Sequence, residues 1–156
     1  MINSTVEKVK PLKKIYIAHP ISLCSVDEVF EYFDAASERL SYNYNVLSPM
    51  IGKDHLRCAP ELRAEGYSHP LSCNHAVFER DTWMVSQSDI VLCDFSGAEN
   101  VSIGCSMELA IASWLHKHTV VVLPKDNIHN HAFIREAADI IFETIDQAIS
   151  YLEKIA

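Results

Sequence analysis

The sequence predicts a single doubly wound α/β domain, a five-stranded parallel sheet with helices on both faces, and three observations carry that prediction. Short apolar runs alternate with longer stretches of helical periodicity, the pattern of strands joined by crossover helices. One run, Ile90-Val91-Leu92-Cys93, is apolar on both sides of the pleat and reads as a strand buried between two helical layers. Finally, 156 residues fit one domain, long enough to bury about two thirds of its unfolded surface in one core.

Element by element, residues 1–13 form a polar N-terminal tail, and 14–18 (Lys-Ile-Tyr-Ile-Ala) form the first strand, which Pro20 keeps from running on. A helix is expected over 26–40. Ser25 is its N-cap, Glu28 three residues on completes a capping box, and Val29, Phe30, Phe33, Ala36, Ser37 and Leu40 trace its core face. Residues 44–48 make a second strand ended by Pro49. The stretch 50–70 mixes Pro, Gly and charge, so a lid-like loop is expected there with at most a short helix around 60–64. Then come a helix over 74–86, a strand over 89–94, a helix over 102–116 and a strand over 119–123. A short helix over 132–138, a strand over 140–142 and a helix over 145–154 close the chain. Five such strands predict the flavodoxin-like (Rossmann-like) order 2-1-3-4-5, which sets the ends of the first and third strands side by side where ligands bind.

Composition bounds the partners. A formal net charge of −8 argues against duplex nucleic acid or an anionic membrane surface. An anionic small molecule remains compatible, since a helix N-terminus and hydroxyls hold phosphate without excess Lys or Arg. No apolar run reaches membrane-spanning length and no secretory pattern opens the chain, so a cytoplasmic protein is expected. Five cysteines without a CxxC read as reduced structural thiols. Eight histidines show no paired ligand spacing, so no metal is expected, and His129-Asn130-His131 reads as a solvated surface pair.

Two acids stand out of place. Glu108 lies in the apolar stretch Ser102-Ile103-Gly104-Cys105-Ser106-Met107-Glu108-Leu109, sharing its helix face with Gly104, Cys105 and Ala112, which leaves room for a ligand. Asp81 has Val77, Phe78, Met84 and Val85 as its helical neighbours and so faces the core. Burying an unpaired carboxylate costs several kcal/mol or shifts its pKa. A salt bridge from Arg80 is the plain structural explanation for Asp81 alone. Two such acids flanking one strand suggest a shared crevice, and paired carboxylates in an apolar pocket are suited to attack at an anomeric carbon. At the start of the 102–116 helix, Ser102 is a natural cap, the free N–H groups favour an anion, and Gly104 lets a ligand approach the backbone.

Three segments, Ile15-Tyr16-Ile17-Ala18-His19-Pro20-Ile21, Arg80-Asp81-Thr82-Trp83, and Ser102-Ile103-Gly104 followed by Glu108, resemble the nucleoside 2-deoxyribosyltransferase superfamily. They resemble most its nucleotide-cleaving branch, the 2′-deoxynucleoside 5′-phosphate N-hydrolases and CMP hydrolases. The resemblance implies that Glu108 is the nucleophile on C1′ of the sugar, forming a glycosyl ester that water opens. It implies that Asp81 orients the sugar or handles the proton delivered to the base, and that Tyr16 packs beside the sugar. Nucleoside transferases tend to carry Asp six residues before the nucleophile, where the nucleotide hydrolases carry a phosphate-binding Ser; here the residue is Ser102. The phosphate loop is expected at His19-Pro20-Ile21-Ser22-Leu23, which lacks the hydrolases' glycines and Arg but keeps a hydroxyl at Ser22. The segment His131-Ala132-Phe133-Ile134-Arg135 stands where those hydrolases bring a Ser from a neighbouring subunit, so His131 is the expected equivalent.

The resulting expectation is an N-glycosidase without cofactor that hydrolyses a (deoxy)ribonucleoside 5′-monophosphate to free base and sugar phosphate. A deoxyribosyltransferase exchanging bases and a nucleotide-binding sensor without chemistry are the alternatives. Trp114, Leu115, Trp83, Phe78 and Met84 offer more large apolar surface than one sheet face covers. A homodimer or dimer of dimers is therefore expected, with the 74–86 and 102–116 helices at the interface.

Overall fold

The computed structural model describes residues 11–21, 24–59, 62–63 and 65–156. Five strands, β1 (Lys14–Ala18), β2 (Asn45–Leu47), β3 (Ile90–Asp94), β4 (His118–Val122) and β5 (Ile140–Phe142), form one parallel sheet in the order β2-β1-β3-β4-β5. This is the predicted flavodoxin-like order. The register sets Tyr16 beside Leu47 of β2 and Val91 of β3, and Asp94 beside Val122 of β4. Connecting the strands are α1 (Val26–Ser41), α2 (Asn74–Gln87), α3 (Ile103–Trp114), α4 (Ala132–Glu136) and α5 (Ile145–Ile155).

Strand periodicity sorts the core into two layers. Ile15, Ile17, Ile90 and Leu92 pack with Phe30 and Phe33 of α1 and Ile149 and Leu152 of α5. The alternate residues Tyr16, Ala18, Val91 and Cys93 face the other way, against Met84 and Val85 of α2 and Cys105 and Leu109 of α3. β3 is central and every one of its residues is buried, as its continuous apolar run predicts.

Local signals set the helix ends. Ser25 and Glu28 close the predicted capping box on α1, and Thr144 with Gln147 forms a second on α5. α3 stops short of the expected residue 116 for a reason the composition hides. His116 takes a left-handed φ of 54°, its N–H bonds to Ser113 O at 3.0 Å, and the N–H of Lys117 bonds to Ala112 O at 2.9 Å. That is a Schellman stop built without the usual glycine.

Some expectations need correction. The polar tail does not extend to residue 13, because Lys13 Nζ donates to Ile155 O at 2.6 Å and the Lys13 carbonyl accepts from Asn45 N at 2.9 Å; residues 1–10 lie outside the described residues. In the 50–70 loop the described short helix is a 3₁₀ turn at Asp54–Leu56, while 60, 61 and 64 of the expected helix lie outside the described residues. Met84 is buried, so it adds nothing to the exposed apolar surface. Among the described residues no helix is long and apolar enough to cross a membrane.

Candidate active site

At the carboxyl ends of β1, β2 and β3 the chain leaves the sheet in three directions. β1 leads to α1 on one face, β3 leads to α3 on the other, and β2 leads into the 48–73 loop. Between them opens a cleft of about 540 Å³, walled by His19 and Ile21 after β1, Met50 and Lys53 after β2, and Ser102, Gly104 and Glu108 of the α3 region. α2 closes it with Asp81 and Thr82.

Glu108 sits in the second turn of α3 and keeps part of its surface open to this cleft. Tyr16, on the same face of the sheet, is completely buried beneath it and donates its hydroxyl to Glu108 Oε1 at 2.7 Å. Burial pushes the Glu108 carboxyl up to about 8; the Tyr16 hydrogen bond and Lys53 pull it down, and Asp81 pushes it further up. Asp81 is 7% exposed. Its Oδ1 accepts from Arg80 Nη2 at 3.0 Å and Nε at 3.2 Å. Burial raises the Asp81 carboxyl, against the opposing pull of Lys53 and Arg80. Lys53 is 4% exposed, a buried cation within the field of both acids. Burial lowers its ammonium, while Asp81 and Glu108 act to restore it.

The start of α3 is built from three side chains. Ser102 caps the helix, its Oγ accepting from Cys105 N at 3.4 Å, and its own N–H donates to His129 Nε2 at 2.7 Å. Accepting there fixes the His129 proton on Nδ1, which lies 3.0 Å from Asn127 Oδ1. Asn127 in turn donates Nδ2 to Phe95 O at 2.6 Å, and the His129 ring stacks on Phe95. Across the cleft, His19 stacks on Tyr32 with centroids 3.6 Å apart, and its Nδ1 donates to Asp94 O at 2.9 Å. Tyr32 donates to Asp94 Oδ2 at 2.8 Å, and Ser96 N donates to Oδ1 at 2.8 Å, so the buried Asp94 ties β1, α1 and the turn after β3 together.

The structure thus brings Glu108, Asp81, Ser102, Gly104, His19 and Ile21 to one cleft. Tyr16 is placed differently from the expectation: with no exposed surface it cannot pack beside a sugar and reaches the cleft only through Glu108. Ser22 lies outside the described residues. His131 is not part of this cleft; it caps the short α4, accepting from Phe133 N at 3.2 Å. Its neighbour His129 is no solvated surface residue, being 3% exposed. Arg80 and Asp81 do form the expected pair, yet the pair opens on the cleft rather than serving the core alone. Sequence reasoning missed Lys53, which looks like any solvated lysine in a loop of mixed composition. Among the described residues no three His, Cys, Asp or Glu side chains come together to hold a metal ion.

No family model matches the chain, and no curated protein matches it in sequence. Solved structures do. A 2-deoxyribosyltransferase from the psychrotolerant bacterium Bacillus psychrosaccharolyticus superposes with a TM-score of 0.64 at 21% identity, over 88% of this chain and 91% of that one. A 2-deoxyribosyltransferase from Leishmania mexicana gives a TM-score of 0.61 at 18% identity, over 91% and 97%. A CMP N-glycosidase from Clostridium botulinum gives 0.56 at 12% identity, over 92% and 100%. The chain therefore has the fold shared by 2-deoxyribosyltransferases and a CMP N-glycosidase, across nearly its whole length.

Proposed function

We propose that the protein is an N-glycosidase that hydrolyses a (deoxy)ribonucleoside 5′-monophosphate to the free base and the sugar 5-phosphate. The observation that carries the reading is the Tyr16–Glu108 hydrogen bond at 2.7 Å, beside a second buried acid, Asp81, in one cleft. Glu108 in its ionised form attacks C1′, the C1′–N bond breaks with its electron pair leaving on the base, and a glycosyl ester forms. Water then opens the ester: its hydroxyl goes to C1′, its proton makes good the one taken up by the departing base, and the carboxylate is regenerated. Tyr16 donates to Glu108 and so favours its ionised form. Because Arg80 already engages Oδ1 of Asp81, sugar orientation suits Asp81 better than proton delivery. The similarity in fold to a CMP N-glycosidase and to 2-deoxyribosyltransferases supports cleavage of an N-glycosidic bond.

Ser102 favours hydrolysis of a phosphorylated substrate over base exchange on a nucleoside, because its hydroxyl and the N–H groups of the first turn of α3 suit an anion. His19, Ile21, Ser22 and Gly104 complete the substrate surface in this reading. His131 is supplied by a second subunit of a cytoplasmic homo-oligomer. The test is a panel of purine and pyrimidine ribo- and deoxyribonucleoside monophosphates, with released base measured by chromatography. In parallel, deoxynucleosides are offered with a different free base. Base release from a monophosphate is expected; exchange confined to the unphosphorylated nucleosides would point to a transferase. Tight nucleotide binding without any release would leave a sensor.

A further inference from the structure

We propose that Lys53 holds the departing base, its ammonium bonding the acceptor beside the glycosidic nitrogen, O2 of a 2-oxopyrimidine or N3 of a purine; this rests on the N-glycosidase reading above.

Three observations carry it. First, Lys53 is 4% exposed and lines the cleft, yet its side chain makes no hydrogen bond or ion pair with any described residue. No fully buried side-chain nitrogen or oxygen among the described residues lacks a partner, so the small surface that Lys53 keeps includes its ammonium, which faces the cleft where a ligand can bring the acceptor. Second, its place in the sheet order decides which part of the ligand it meets. Lys53 follows β2 and the α3 N-terminus follows β3, so the two stand on opposite sides of β1 with Glu108 and Asp81 in the same cleft. If the phosphate lies at Ser102, Lys53 lies at the base end, where Met50, Leu56, Leu62 and Tyr67 supply an apolar wall for a flat ring. A phosphate dianion at Lys53 would instead face both carboxylates. Third, the lysine is held in advance. Arg80 donates to the carbonyls of Pro49 at 2.6 Å and Ile51 at 3.2 Å, and Lys53 N closes a turn on Met50 O at 3.0 Å. The loop is thereby fixed to α2 before any ligand arrives.

The chemistry balances. As Glu108 bonds to C1′, the electron pair of the C1′–N1 bond passes to the pyrimidine, where O2, adjacent to N1, takes much of the charge against the ammonium. A proton passes from Lys53 to the base, and the water that opens the ester returns one to the amine. In a purine, N3 stands on the carbon next to the glycosidic N9 and takes the place of O2, so the same contact serves either class of base.

The experiment compares the wild type, Lys53→Met and Lys53→Gln on a uridine monophosphate and its 5-fluoro counterpart, whose base leaves more readily, with an adenosine monophosphate as reference. The wild type is expected to free the base from the uridine monophosphate. Losing a donor to developing charge should cost Lys53→Met about 100-fold in kcat/KM against the uracil nucleotide, and distinctly less against the fluorinated one. A purely structural lysine would cost the same on both, and equal losses or no loss would overturn the assignment. Should Lys53→Met not fold, the same ratio is read from Lys53→Gln, and unequal or equal losses then support or overturn the assignment in the same way. A wild type that frees no base from any nucleotide defeats the glycosidase reading itself, whereas an active wild type with equal losses in the variants defeats the lysine alone.

Discussion

At the scale of single residues, the carboxyl of Glu108 is a place where stability and chemistry oppose each other. Its folded pKa of about 8 stands above the ordinary 4.5, so ionising it works against the fold. Below about pH 4.5 the carboxyl is protonated in both states, from there to about 8 stability falls, and above 8 the full cost applies. Glu108→Gln, whose carbonyl can still accept from Tyr16, is expected to abolish turnover. It should also raise Tm over the wild type by about 10 °C near pH 8.5, and by little at pH 4.5. Calorimetry at the two pH values checks this, and an equal Tm gain at both would contradict the burial argument. Because the nucleophile must be ionised, kcat/KM should climb with pH toward a plateau above about 8. Tyr16→Phe removes a hydrogen bond to the charged form and should move that rising limb up by about one to two pH units. An unmoved limb would mean that Tyr16 is packing only.

At the scale of elements, the legible part of the sequence was whatever local periodicity or capping specifies. β3 announced itself because a strand covered on both faces is apolar at every position, and α1 because Ser25 and Glu28 mark its start. Glu108 and Asp81 were legible as charges at positions where helical spacing demanded core. The features that stayed hidden depend on contacts distant in sequence. Lys53 is buried because Arg80, 27 positions along the chain, gathers the carbonyls of its loop. His129 is buried because Phe95 offers a ring to stack on and Ser102 an N–H to bind. The α3 start combines both kinds of information, and Ser102→Asp tests it. Asp caps a helix as well as Ser does, so the fold should persist. Its charge would meet a 5′-phosphate and should lower kcat/KM on the monophosphate at least about tenfold relative to the unphosphorylated nucleoside. An unchanged ratio would place the phosphate elsewhere in the cleft.

At the scale of the whole molecule, the surface presents apolar groups that the described residues leave uncovered. Trp114 is 84% exposed at the end of α3 and Phe133 82% exposed on α4. Between these helices lies a groove of about 860 Å³ lined by both residues together with Leu109, Ile134 and Ala137. Trp83 and Phe78 extend the apolar surface onto α2 at 60% and 50% exposure. A helix pair with this much uncovered aromatic surface is the usual face of an isologous dimer. His131 sits at the start of α4, its ring stacked on that of Phe133, so pairing through this region would bury the loop that the functional reading needs from a second subunit. The expected outcome is a dimer or dimer of dimers by light scattering at micromolar concentration. Exchanging both Trp114 and Phe133 for Glu should give a folded monomer whose activity on a nucleoside monophosphate falls while its far-UV circular dichroism is kept. His131→Ala within the intact oligomer should lower activity without changing the mass, which separates the shared-site contribution from assembly itself. A wild type that is monomeric and fully active would remove both the interface and the borrowed histidine, leaving the substrate site to the cleft of one chain.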